Sequence, residues 1–170
     1  MLEQQIATSG DMGFIASCLL YGARKGHYSF NASNDQLVRF MQQEVRSIIT
    51  QQNLLDKRHA HALIYRVKSK RVALLIVADA GLPSGGIEIY ALSVAQKFQG
   101  LGYARQVLES ALGHYIQQDV YARCAPASYK MLALLLKLGF EKQACDGEYQ
   151  LLFRGGLSSA DLPVSSCINY

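Results

Sequence analysis

This chain has no C-x-x-C pair, no basic run longer than two residues and no apolar stretch long enough to cross a membrane. Each absence removes a class of protein. The four cysteines, Cys18, Cys124, Cys145 and Cys167, are scattered, a spacing that supports neither a zinc site nor a disulfide framework. The expectation is therefore no bound metal and a reducing compartment. Basic runs of two residues, such as Arg24-Lys25 and Lys57-Arg58, do not call for nucleic acid. Apolar runs such as Met131 to Leu136 are far below the ~20 residues of a membrane helix, so no membrane partner is expected. Met1-Leu2-Glu3-Gln4-Gln5 carries no basic region and no long apolar segment, so the expectation is no signal peptide and a cytoplasmic protein. Neither an internal repeat nor a linker divides the chain.

What remains is a chain of 170 residues, 50% apolar, with a formal charge of +4. That length and composition suit one domain with a single sizeable core. The domain is expected over 1–154, and the glycine- and serine-rich stretch 155–170 reads as an irregular tail. A mildly basic surface favours a polyanionic ligand.

Apolar periodicity predicts the order of elements. A short strand near Gln5 to Thr8 precedes a helix capped by Ser9 or Asp11, with Met12, Ile15, Ala16, Leu19 and Ala23 on one stripe and Gly26 at its end. Ser33 or Asn34 caps a second helix, lined by Leu37, Val38, Met41, Val45, Ile48 and Ile49. His61 to Val67 and Arg71 to Ala78, joined by Lys68-Ser69-Lys70, read as a hairpin. After the turn Gly81 to Gly86, a strand from Ile87 leads into a helix over Leu101 to Gln118, which buries Leu101, Ala104, Val107, Leu108, Ala111, Leu112 and Tyr115. Val120 to Cys124 returns as a strand, Ser128 to Leu138 forms a last helix, and strands near Glu141 to Ala144 and Tyr149 to Arg154 complete a mixed sheet.

The junction between the strand at Ile87 and its helix is the part richest in chemistry. Gln99-Gly100-Leu101-Gly102 stands where the helix begins, so backbone N–H groups without intrahelical partners and the positive end of the helix dipole converge there. A phosphate or pyrophosphate suits that spot. A Walker loop would need Lys-Ser/Thr after its last glycine, and Tyr103-Ala104 follows instead. A dinucleotide fingerprint matches only in part, because Arg105 occupies the third glycine position and Asp119 precedes the next strand rather than ending it.

Leu92-Ser93-Val94 followed by Gln99-Gly100-Leu101-Gly102-Tyr103-Ala104 resembles the acyl-CoA loop of the GNAT superfamily of N-acyltransferases. Lys137-Leu138-Gly139-Phe140-Glu141, ending the helix that starts near Ser128, resembles that family's second signature. The two occur in the expected order over about Ile87 to Arg154. The resemblance implies an α/β (α+β) fold, a mixed, mostly antiparallel twisted sheet of about six to seven strands flanked by four helices. It further implies transfer of an acetyl group from acetyl-CoA to a primary amine by direct attack. Backbone amides near Leu92 and Val94 would bind the acyl oxygen and pantetheine, and amides from Gln99 through Gly100, Leu101, Gly102, Tyr103 and Ala104 the pyrophosphate. Ser128 stands where an asparagine often contacts the pantetheine arm. The acceptor is a small-molecule or peptide amine, aminoacyl-tRNA stays open as a toxin-like alternative, and so do a homodimer and a degenerate acyl-CoA-binding module.

Catalytic side chains are less plainly written. Glu88 is the only carboxylate on the strand before the loop, and the two-residue period places it on one face with Tyr90, Leu92 and Val94. Two readings fit it: a general base, as in some family members, or an ionic partner across the sheet. Gln99 replaces an arginine common in relatives, with Arg105 either restoring the charge or lying solvated. Leu135 stands where many members carry the tyrosine that protonates the leaving thiolate, which turns attention to Tyr103, Tyr121 and Tyr129 or to no acid at all. His27 could contact an acid group or lie in a solvated loop, His59 and His61 share a strand face without a third ligand, and Asp146 and Glu148 could attract an amine or form a polar turn.

Overall fold

Periodicity and turn chemistry position most elements where they were expected, and the structure, a computed structural model, describes residues 1–27 and 34–157. In chain order these form β1 (Glu3–Ile6), α1 (Met12–Arg24), α2 (Asn34–Gln51), β2 (Ala60–Val67), β3 (Lys70–Asp79), β4 (Ile87–Val94), α3 (Tyr103–His114), β5 (Val120–Cys124), α4 (Tyr129–Lys137), β6 (Glu141–Asp146) and β7 (Tyr149–Arg154). Short 3-10 turns occur at Ser9–Asp11, Gln96–Phe98 and Pro126–Ser128. Ser33, Cys167, the tail from 158 onward and the side chains of Asn34, Cys145 and Asp146 lie outside the described residues. No described helix is long and apolar enough to cross a membrane.

The strands make one seven-stranded sheet in the order β1-β2-β3-β4-β5-β7-β6. β4 and β5 run parallel, as the α3 crossover between them requires, and the other neighbours are antiparallel. On one face Ile15 and Leu19 of α1 and Met41, Val45 and Ile48 of α2 pack over Ile64, Leu74 and Ile76. On the other, Val107, Leu108 and Ala111 of α3 and Leu135 of α4 pack over Tyr65, Leu75, Val77 and Ala122. β3 feeds both clusters and is buried continuously from Val72 to Ala78, the mark of a central strand covered on both sides. Lys68 and Ser69 both adopt positive φ, 47° and 62°, which makes the β2–β3 connection a tight two-residue turn whose twist matches its strands.

Three boundaries depart from the sequence reading. β1 ends at Ile6 because Thr8 is committed to the next turn, where its N–H donates to Asp11 Oδ2 at 3.0 Å and its carbonyl accepts from the Asp11 N–H at 2.9 Å. α3 begins at Tyr103, not Leu101, and Leu101 is 61% exposed rather than buried. Gly100 and Gly102, at φ 78° and 81°, hold a left-handed path that an α-helix cannot take. α3 also stops at His114, short of Gln118. The predicted tail begins tied down, since Gly156 N–H donates to Asp119 Oδ1 at 3.0 Å and Leu157 N–H to the Ile116 carbonyl at 2.8 Å.

Asp11 is fully buried and accepts from Arg66 Nη2 at 2.8 Å and Arg71 Nε at 2.6 Å, tying the start of α1 to the β2–β3 hairpin. Burial works against its carboxylate, but hydrogen bonds from the Thr8 backbone and from Arg71 outweigh it and hold its pKa below the ordinary value. A depressed carboxylate contributes its full stability above the unfolded value of ~3.9 and loses it as pH falls through the folded value. Asp11→Asn should therefore cost about 2 kcal/mol in urea unfolding near neutrality. That gap should close below about pH 4; a gap that persists at lower pH contradicts the linkage.

Candidate active site

β4 and β5 part after three rungs. Their register is Ile87↔Val120, Glu88↔Tyr121 and Ile89↔Ala122, while β4 stays paired with β3 as far as Val94. From Tyr90 onward the β5 side of β4 faces an opening V, where backbone groups without a ladder partner are available to a ligand. Leu92 and Val94 stand on this stretch. The β3 register shifts between Ile76 and Val77, pairing Ile76 with Ala91 and Val77 with Ile89. Tyr90 is thus the extra residue of a bulge. The bulge overturns the predicted common face: Tyr90 packs with the α1–α2 cluster, whereas Leu92 and Val94 pack with the α3–α4 cluster. One inserted residue reverses a strand's alternation.

The glycine loop follows directly. After the turn Gln96–Phe98, Gly102 caps α3 with φ 81°. A Cβ on Gly100 or Gly102 would meet no protein atom within 4 Å, so the space over the loop is open. The first-turn N–H groups of α3, from Tyr103 on, have no intrahelical acceptor, and the dipole adds positive potential. A pyrophosphate fits this cradle. The Gln99 side chain turns back onto the strand: its Nε2 donates to the Val94 carbonyl at 3.0 Å and braces the loop against the end of β4. Arg105 pairs with Glu109 at 2.8 Å on the exposed face of α3, which matches the solvated reading.

Glu88 is buried, at 3% exposure, and each carboxylate oxygen accepts from an arginine: Oε2 from Arg58 Nη1 and Oε1 from Arg123 Nη1. Arg58 also donates to Asp56 Oδ2 at 2.8 Å and to the Asp79 carbonyl at 3.1 Å. Arg123 is the first β5 residue beyond the last rung, so its pair with Glu88 spans the apex of the V. Of the two readings of Glu88, the cross-strand ionic partner is the one this geometry meets directly.

A second carboxylate was not anticipated. Glu44 of α2 is 3% exposed; it accepts from the Tyr90 hydroxyl at 3.0 Å and from the Leu55 N–H at 2.7 Å. The signal was present, since a glutamate inside the apolar stripe of Met41, Val45 and Ile48 needs a buried partner. Burial, and then the Glu44 charge, push the Tyr90 phenol far above its ordinary pKa, so Tyr90 stays protonated and acts as a fixed donor. The Arg58 guanidinium lies 5.7 Å from the Tyr90 ring centre and joins the two acid groups into one network.

The other candidates separate. His27 and Ser128, 101 residues apart, meet at 2.8 Å between Nδ1 and Oγ, linking the end of α1 to the start of α4 beside the open end of the V. Tyr121 stands on the paired part of β5, with its hydroxyl 3.4 Å from Ser84 Oγ and its ring against Phe153, at the closed end. Tyr103 packs edge-on to Phe98 at 6.2 Å, and Tyr129 is 65% exposed. His59 and His61 stack edge to face at 4.5 Å. Among the described residues no group of three or more His, Cys, Asp or Glu side chains could hold a metal ion. Glu148 lies in the turn between β6 and β7, and the Asp146 side chain is outside the described residues.

Leu135 is 1% exposed within the α3–α4 cluster, so a tyrosine there would overfill a packed site. Leu135→Tyr should lower stability by about 1–3 kcal/mol with no gain in turnover. A gain of tenfold would show that a hydroxyl at this position reaches the reacting sulfur.

A parallel strand pair that splays into a bulged edge and ends at a helix-capping glycine loop makes an open cleft that runs into an anion site. The acetyltransferase (GNAT) family profile matches residues 29–140, and the chain belongs to that family. Acetyl transfer with coenzyme A as the acyl carrier is accordingly its general class. An acetyltransferase from Thermus thermophilus has the same fold at 19% identity and TM-score 0.66, over 91% of this chain and 96% of the other. PaiA N-acetyltransferase from Thermoplasma acidophilum, in complex with coenzyme A, matches at 11% identity and TM-score 0.65, over 91% and 99%. Spermidine N-acetyltransferase from Vibrio cholerae, in complex with CoA and spermine, matches at 17% identity and TM-score 0.63, over 89% and 92%. No curated protein matches the chain in sequence.

Proposed function

We propose that this protein is an N-acetyltransferase in which a primary amine attacks the thioester of acetyl-CoA directly. The carrying observation is the splay of β4 from β5 ending at the Gly100–Gly102 loop. Acetyl-CoA supplies the activated acetyl group. The backbone of Leu92 and Val94 would hold the pantetheine arm and orient the acyl oxygen, amides from Gln99 to Ala104 the pyrophosphate, and Ser128, fixed by His27, the mouth of the cleft. Direct attack is supported by the thiols: Cys18 and Cys124 are buried, and burial raises both pKa values, Cys124 to about 11. Neither offers a thiolate nucleophile. Glu88 serves in this reading as the anchor of β4 to β5 through Arg123; the amine's proton leaves to water as the C–N bond forms, the C–S bond breaks, and CoA departs as its thiolate. A broad panel of primary amines tests the proposal by acetyl-CoA consumption and amide formation. Cofactor binding without consumption on any amine would reduce the protein to a binding module.

A further inference from the structure

A groove beside the cofactor site, sharing Val94 with it and reaching Lys97 just before the glycine loop, runs between α1, the start of β3 and the end of β4, with a volume of about 490 Å³. Its polar lining includes the cations Lys70, Arg71 and Lys97 with neutral groups such as Ser17, Tyr21 and Ser93, over an apolar floor that includes Phe14 and Val94, and no lining residue is acidic. Arg71 pairs with Asp11, but that single carboxylate lies between two guanidiniums, Arg66 and Arg71. The far end of the groove therefore keeps a net positive charge, to which exposed Lys70 and Lys97 add. Phe14 and Tyr21 both line it, and seven helical residues span about 10 Å. α1 thus carries the groove from the cationic end, beside Asp11, toward His27 and Ser128 at the mouth of the cleft. Ser93 and Val94 belong to the strand whose other side bounds the V.

We infer that this groove receives the anionic end of the acceptor, so that the substrate is a small primary amine carrying a carboxylate or phosphate and not a polyamine. The inference rests on the transferase reading for the word acceptor, and on the groove alone for the anion. A polycationic acceptor would meet like charges at the cationic end. A tRNA backbone needs a long basic stripe, with several phosphates contacted at once, whereas these cations line one recess of small-molecule size.

The test compares linear ω-amino carboxylates with α,ω-diamines of matched length as acceptors. Wild type should favour the carboxylates in kcat/KM by about tenfold or more. Lys70→Glu should erase or reverse that preference and Lys70→Arg should keep it, with the thermal shift caused by acetyl-CoA the same in all three proteins. Diamines accepted equally or better by wild type, or an unchanged preference in Lys70→Glu, would overturn the inference. So would salt-sensitive retention of wild type on immobilised tRNA that Lys70→Glu abolishes. If no amine is acetylated, the transferase reading fails by itself, and calorimetric titration with ε-aminocaproate decides the groove. Binding to wild type that is lost in Lys70→Glu supports it, and no binding to wild type sinks it.

Discussion

Gly100→Val should abolish the stabilisation that acetyl-CoA confers while leaving the protein folded. At ~100 times its dissociation constant a ligand that binds only the native state adds about 2.7 kcal/mol, a rise of about 5–10 °C in Tm for a chain of this size. Gly100 has φ 78°, and a Cβ at this position would have no protein atom within 4 Å, so valine would meet strain from its backbone and place its methyl groups in the ligand's space. The strain costs about 1–2 kcal/mol, less than the usual stability of a domain. Thermal denaturation of both proteins, with and without acetyl-CoA, measures the difference. A shift that survives in Gly100→Val would place the cofactor elsewhere.

Glu88→Gln separates the two roles of that residue. As the anchor of the V, Glu88 neutralises two guanidiniums whose side chains are only 22% and 28% exposed, and breaking such a buried network by removing one partner should cost about 3 kcal/mol. Turnover per folded molecule should stay within about tenfold of wild type, with the same shape of pH profile. Loss of a general base instead lowers kcat by about 10² to 10⁴ with little need for a stability change. Urea unfolding and kcat against pH, measured on both proteins, decide between them. Near-normal stability with a hundredfold loss of kcat would return Glu88 to proton transfer.

The sequence by itself determined whatever depends on neighbours along the chain. The 3.6-residue stripe of Leu37, Met41, Val45 and Ile48, the β-rich runs of β2 and β3, and the glycines that cap α3 each act over a few residues, so elements, order and the anion loop were legible. Both family signatures lie within such local stretches. Tertiary structure alone decided the rest. The bulge at Tyr90 arises from pairing with β3 and turns Leu92 and Val94 to the face opposite Tyr90. Arg58 and Arg123 reach Glu88 across 30 and 35 residues, and Glu44 reaches Tyr90 across 46. Leu135 was legible as a departure from the family pattern, yet its burial was not, because which side of α4 meets α3 and β5 is set by packing. Charge partners and strand phase follow from the juxtaposition of distant segments, and a chain's local periodicity carries no record of which distant segment will lie beside it.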